Sequence, residues 1–191
     1  MNCRRYLSFI LIVVLFLSGC SNTDGSRKIE NSSEIANSWS VGIDADGFVG
    51  KDTLTLLSNG NYVEKQTVHY SNQDNGFSFS VPVSIKMEGK WNFRSDSLYL
   101  VPDKTSLIVA IDKEAIQIKA VGEKVNLSTL KTVEALMKDD LCIYIDNYYK
   151  NEFLRYGDSK VALGYVSLTS EGDLLIRSDN GVVVMTPTSR F

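Results

Sequence analysis

Histidine, cysteine and proline are scarce in this chain, whose 191 residues include one His, three Cys and three Pro. A single His leaves little material for a His-based catalytic triad or for a zinc site with several His ligands. The 20 Lys and Arg residues form no cluster and are outnumbered by 23 Asp and Glu residues, whereas nucleic-acid binding needs basic patches that neutralise phosphates. We therefore expect no catalytic residues, no metal site, no cofactor and no nucleic-acid partner.

Long apolar runs are also scarce, and the conspicuous one lies at the N-terminus. Residues 6–18 are mostly apolar and follow Arg4 and Arg5. A helix of that length rises about 20 Å, which is too short for a hydrocarbon core about 30 Å thick. The pattern is typical of a secretory signal peptide rather than of a transmembrane helix.

The apolar run ends in Leu17, Ser18, Gly19 and Cys20, and this ending resembles the lipobox of bacterial lipoproteins. The resemblance implies removal of residues 1–19 and attachment of acyl chains, including palmitate, to Cys20. Several acyl chains would hold the mature protein on a lipid bilayer. Ser21 follows the Cys, where the enterobacterial inner-membrane signal has Asp, and this implies the outer membrane of a Gram-negative bacterium.

Cys142 is then the remaining thiol of the mature chain, because Cys3 leaves with the signal and Cys20 is acylated. No intrachain disulfide can form, although the compartment is oxidising. Nothing local connects Cys142 with His69, so we expect a structural thiol rather than a nucleophile. The acidic pairs Asp139–Asp140 and Asp44–Asp46 lie in polar surroundings, and the sequence predicts no burial there that would raise a carboxyl pKa.

The composition divides the mature chain into a short polar segment and a single domain. Residues 20–37 are rich in Ser and Asn and predict a lipidated N-terminus with a flexible tether. Residues 38–191 form the predicted domain, in which apolar residues alternate with period two in most segments. The strongest hairpin signal is Asn59–Gly60, because a type I′ turn needs positive φ at both central residues.

Three further features of the alternation yield structural predictions. Residues 77–87 alternate in a half-buried strand whose Pro82 predicts an edge position or a bulge. Glu88–Gly89 predicts a turn into the next strand. Residues 106–111 and 114–120 predict a hairpin across Asp112–Lys113.

One segment follows helical spacing instead. The sequence predicts a helix over residues 128–153, with a kink near Asp139–Asp140, although residues 141–145 also suit a strand. Its apolar stripe should pack on the sheet, and its members are Leu130, Val133, Met137, Leu141, Tyr144, Ile145 and Tyr148.

The predicted fold is mainly β: an antiparallel meander that forms a barrel or a bent sheet, with one long helix packed against it. Trp39 before the Asn59–Gly60 hairpin, and later the segments 89–91 (Gly-Lys-Trp) and 98–100 (Leu-Tyr-Leu), resemble the lipocalin-like domains of small bacterial lipoproteins. The resemblance implies a non-catalytic barrel that binds a small apolar molecule or a glycan. Trp39 and Trp91 are the candidate ligand-binding residues, and core packing is the alternative role for both rings.

A second function remains open at this point, namely a structural lipoprotein that binds another envelope protein. A cavity of about 300 Å³ or more would favour ligand binding. A filled interior with an exposed apolar patch would favour protein binding.

Overall fold

The computed structural model describes residues 25–45, 47–74, 76–121, 127–155, 160–179 and 181–190. Within these ranges the chain forms eleven strands and one α-helix. Their bounds are β1 (Arg27–Lys28), β2 (Ser38–Ala45), β3 (Phe48–Leu56), β4 (Asn61–Asp74), β5 (Phe77–Arg94), β6 (Ser97–Pro102), β7 (Ile108–Ile111), β8 (Gln117–Ala120), α1 (Leu127–Arg155), β9 (Val161–Leu168), β10 (Leu174–Ser178) and β11 (Gly181–Pro187).

Eight of the strands close into an antiparallel barrel. The order runs β9–β10–β11–β2–β3–β4–β5–β6, and β6 pairs back onto β9. Closure satisfies the hydrogen-bonding edges that an open sheet would leave exposed. Of the two predicted architectures, a barrel or a bent sheet, the chain therefore adopts the barrel, and the predicted mainly β fold with one helix is confirmed.

The turn predicted at Glu88–Gly89 is wrong, because β5 continues through it as one strand from Phe77 to Arg94. Gly89 pairs with Tyr62 of β4 and with Pro102 of β6. A Cβ atom at Gly89 would lie 2.3 Å from the carbonyl oxygen of Val101. The glycine therefore permits close approach of the neighbouring strand and does not mark a turn.

The hairpin predicted across Asp112–Lys113 is also wrong. β7 and β8 do not pair with each other: both pair with β5, at residues 83–86 and 77–80 respectively. They are two segments of one interrupted strand. Pro82 lies between the two paired stretches, where this side of β5 has no ladder partner, so its missing N–H costs no hydrogen bond there.

The helix α1 is confirmed, and residues 141–145 belong to it rather than to a strand. Ile145 and Tyr149 are its buried contacts with the barrel. The predicted core stripe is wrong at Tyr144, which is 57% exposed. Among the described residues, no helix combines the length and apolar character needed to cross a bilayer.

The core consists of two apolar clusters at opposite ends of the barrel. The N-terminal cluster lies at the end where β1 joins the sheet and contains Trp39, Leu54 and Trp91. The helix cluster lies near the other end, where β4 ends and β5 begins, and contains Val68, Val81 and Ile145. We call this second end of the barrel the far end.

The domain begins earlier than the predicted residue 38, and the flexible tether predicted over 20–37 is wrong for residues 25–37. β1 pairs with β9, and a capping box between Asn31 and Glu34 starts a 3₁₀ turn. Ile29 and Ile35 are 1% and 0% exposed in the N-terminal cluster. Burial of two isoleucines holds this polar-looking segment on the barrel.

Candidate functional site

A cleft of about 400 Å³ lies at the far end, across β4, β5 and β8. Two cross-strand rows of polar side chains run along it. Ser71, Ser80 and Gln117 form one row, and Gln73, Ser78 and Lys119 form the other. Asn72 and Phe79 lie between these rows in register and also border the cleft, although the Phe79 side chain packs against the helix cluster on the inner face.

The rows lie on the outer face of the sheet, because side chains on a strand alternate between faces. Val81 and Val83 point into the core, so Ser78 and Ser80 lie on the opposite side. The serines of β5 are half-buried, whereas Gln73, Gln117 and Lys119 are exposed. The cleft therefore offers groups that both donate and accept hydrogen bonds, with one positive charge.

A second polar cluster lies inside the barrel, between the two apolar clusters. Asp52 pairs across strands with Gln66, and Leu54 pairs with Glu64, so the two acids are diagonal neighbours on the inner face. Asp52 is 8% exposed and Glu64 is 5% exposed. We call Asp52 and Glu64 the acid pair.

Hydrogen bonds satisfy only part of the acid pair. Gln66 Nε2 donates to Glu64 Oε1 over 3.0 Å. Asp52 Oδ1, Glu64 Oε2 and the nearby Tyr62 hydroxyl are buried without a hydrogen-bond partner among the described residues. An unsatisfied buried group costs about 1–3 kcal/mol, and more when charged, so the acid pair is not explained by stability.

Burial dominates the electrostatics of the acid pair. Desolvation raises the pKa of Asp52 to about 7. Desolvation and then the charge of Asp52 raise the pKa of Glu64 well above its usual value. Desolvation and the charge of Glu64 also raise the pKa of Tyr62. Uncharged forms are thus favoured throughout the cluster.

Sequence reasoning missed the acid pair, although a signal was present. The alternation that places Leu54 and Leu56 inward also places Asp52 inward when it is extended by one step. Across the Asn59–Gly60 turn, the same face continues through Tyr62, Glu64 and Gln66. Polar residues at inward-facing positions of two paired strands were therefore the sequence signal for the acid pair.

The two candidate tryptophans belong to the N-terminal cluster. Trp39 Nε1 donates to the carbonyl oxygen of Ile35, and Trp91 Nε1 donates to that of Leu57, each over 2.9 Å. Trp39 is 2% exposed and Trp91 is 8% exposed. This is the arrangement that the core-packing alternative predicts, and neither ring lines the far-end cleft.

The other predicted residues are dispersed. Cys20, the predicted lipidation site, lies outside the described residues. Cys142 is a free thiol that packs beside the helix cluster, and His69 is exposed on β4. Asp139 forms an exposed ion pair with Lys113. No group of three or more His, Cys, Asp and Glu side chains suited to a metal ion occurs among the residues that the structure describes.

Comparison of the chain with models of known protein families and with curated proteins finds no match.

Proposed function

We propose that this protein is a lipid-anchored bacterial lipoprotein whose barrel binds a glycan, without catalysis, in the far-end cleft. The observation that carries the proposal is a cleft of about 400 Å³ with a polar lining. That volume lies within the usual range of small-molecule sites. The rest of the barrel acts as a rigid frame for three neighbouring strands.

The lining favours a glycan over an apolar molecule. Serine hydroxyls and the amides of Gln73 and Gln117 can pair with the donors and acceptors of sugar hydroxyls. The inward positions on either side of the acid pair instead carry contacting side chains of the two apolar clusters. An apolar ligand would gain little by leaving water for the cleft.

Lys119 gives the cleft a preference among glycans. Among the described residues of the lining, it is the one charged side chain. An exposed ion pair contributes about 0.2–1 kcal/mol, so an acidic sugar should bind up to about fivefold more tightly than its neutral counterpart. The glycan class we propose is therefore acidic.

The proposal is tested by titrating the full-length protein, in detergent, with matched neutral and uronic-acid-containing oligosaccharides in a calorimeter. We expect the double substitution Gln73→Ala, Gln117→Ala to weaken binding about tenfold or more, since each lost hydrogen bond removes about 0.5–1.5 kcal/mol. Lys119→Gln should remove the preference for acidic sugars.

Lys65→Gln is the matched control, because Lys65 is exposed on β4 away from the cleft, and it should bind normally. Absence of binding across the panel, or equal binding by the wild type and the double variant, contradicts the glycan proposal.

One observation favours the second candidate function, which is binding to another envelope protein. Leu136, Ile143 and Tyr144 are more than half exposed and lie on the outer side of α1. Solvent-facing apolar residues that share a helix face are typical of protein interfaces. In that case Leu136→Ser with Ile143→Ser would abolish the cellular phenotype at unchanged abundance, while the cleft variants would not.

A further inference from the structure

We propose that Asp52 and Glu64 form a proton-binding pair inside the barrel, which holds one shared proton in the native protein and makes the fold more stable in acid. This inference rests on the barrel interior and is independent of the proposed glycan site. It assigns a role to two buried groups that the cleft does not use.

The arrangement of partners in the acid pair points to a single proton. Gln66 occupies Glu64 Oε1, and one oxygen of each carboxyl group, Asp52 Oδ1 and Glu64 Oε2, has no partner. A proton would make either oxygen a donor, and we assign the unpartnered oxygen of its diagonal neighbour as the acceptor. One carboxylic acid and one carboxylate then satisfy both atoms, with a net charge of −1.

The positions that face the acid pair on the neighbouring strands are apolar. Val41 and Trp39 on β2 and Ile85 and Met87 on β5 occupy the facing positions of the neighbouring strands. Burial is the largest influence on the pKa of both acids, and the charge that acts on Glu64 is the like charge of Asp52. A proton is therefore the available means of lowering the charge of the pair.

Tyr62 and Asp103 are the other titratable groups nearby. The buried Tyr62 hydroxyl lies within the field of Glu64 and of Asp103, and its pKa is raised, so it is neutral in the physiological range. The pKa of Asp103 is lowered by hydrogen bonds from Thr105, so Asp103 adds negative charge above acid pH. Neither group supplies a positive charge that would favour full ionisation of the acid pair.

The sign of the effect follows from proton counting. In the unfolded chain Asp and Glu ionise near pH 4, whereas the native pair keeps a proton to higher pH. The native state then binds one proton more than the unfolded state, so stability is full below about pH 4 and falls as the pH rises through the native pKa. The unfolding equilibrium constant should increase up to tenfold per pH unit in this window.

The test is chemical unfolding of the full-length protein in detergent between pH 4 and pH 8, followed by tryptophan fluorescence. The free energy of unfolding of the wild type should fall with rising pH. In the double variant Asp52→Asn, Glu64→Gln this pH dependence should be absent, and at pH 8 the variant should be more stable than the wild type. Asp44→Asn, an exposed acid on β2, is the matched control and should keep the wild-type slope.

Infrared spectroscopy of the native wild type at neutral pH gives a second readout, which remains usable if the double variant does not fold. We expect a carbonyl band of a protonated carboxyl group, and Glu64→Gln alone should remove or shift it. Absence of that band, or equal pH slopes in the wild type and the amide variants, would overturn the proposal.

Discussion

Asp52 and Glu64 occupy inward strand positions where apolar side chains would pack without cost, and this conflict with the local pattern is what the proposed shared proton accounts for. At Gly60, by contrast, the residue type suits the backbone conformation. The hairpin is confirmed, and the φ of Gly60 is +81°. The predicted type I′ turn is wrong, because Asn59 does not have positive φ and the Gly60 N–H donates to the carbonyl oxygen of Leu57 over 3.0 Å. An added Cβ would contact nothing closer than 3.9 Å, so the requirement for Gly is set by backbone conformation and not by space.

Ile35 is the residue-scale test of the N-terminal segment. Because it is 0% exposed in the N-terminal cluster, Ile35→Ala should lower the free energy of unfolding by about 2–5 kcal/mol. Ile108→Ala is the control, since Ile108 is 55% exposed and should lose little. Urea unfolding monitored by circular dichroism measures both, and equal small losses would mean that the segment does not contribute to the core.

At the scale of elements, the sequence predicted what depends on local pattern and missed what depends on distant partners. The Asn59–Gly60 hairpin and α1 were predictable because turn chemistry and helical spacing are local. The continuation of β5 through Gly89 was not, because it depends on close approach of Val101 from β6. Burial of Ile29 could not be predicted either, because the residues that it packs against belong to strands far along the chain.

The same distinction applies to the far-end cleft. Its two polar rows combine residues of β4, β5 and β8, and β8 was assigned to a hairpin with β7. Without the pairing of β8 on β5, Gln117 and Lys119 could not be placed beside Gln73. Outward polar residues on strands are common, so only the register of three strands identifies a cleft.

The packing of α1 gives an element-scale prediction. Ile145 is 1% exposed against the helix cluster, whereas Ile143, two residues earlier, is 61% exposed. Ile145→Ala should therefore cost about 2–5 kcal/mol of unfolding free energy, while Ile143→Ala should cost well under 1 kcal/mol. Thermal unfolding of the two variants provides the comparison. A larger loss for Ile143→Ala would indicate that α1 packs with its other face.

At the scale of the whole molecule, the two ends of the barrel carry different features. The N-terminal end holds both tryptophans and the segment around Ile35, and the far end holds α1 and the polar cleft. The acid pair separates the two apolar clusters. This division places the proposed glycan site at the end of the barrel opposite β1, which is the described strand nearest to Cys20 in the sequence.

Lipid attachment itself is predicted from Leu17 to Cys20. Cys20→Ser should abolish incorporation of an alkyne fatty acid during metabolic labelling and should release or mislocalise the protein. Cys142→Ser is the control and should retain the label, because Cys142 belongs to α1. Label that persists in Cys20→Ser would contradict the lipoprotein assignment.

If Cys20 is acylated as proposed, the pairing of β1 on β9 would restrict how the barrel is oriented relative to the bilayer. The backbone between Cys20 and Arg27 spans at most about 25 Å, whereas a free tether to residue 37 would span up to about 60 Å. Since β1 enters at the N-terminal end, an acylated Cys20 would hold that end near the lipid headgroups. The fourteen residues of β4 extend about 45 Å towards the far end, so the cleft would face away from the bilayer, towards soluble or cell-wall polymers.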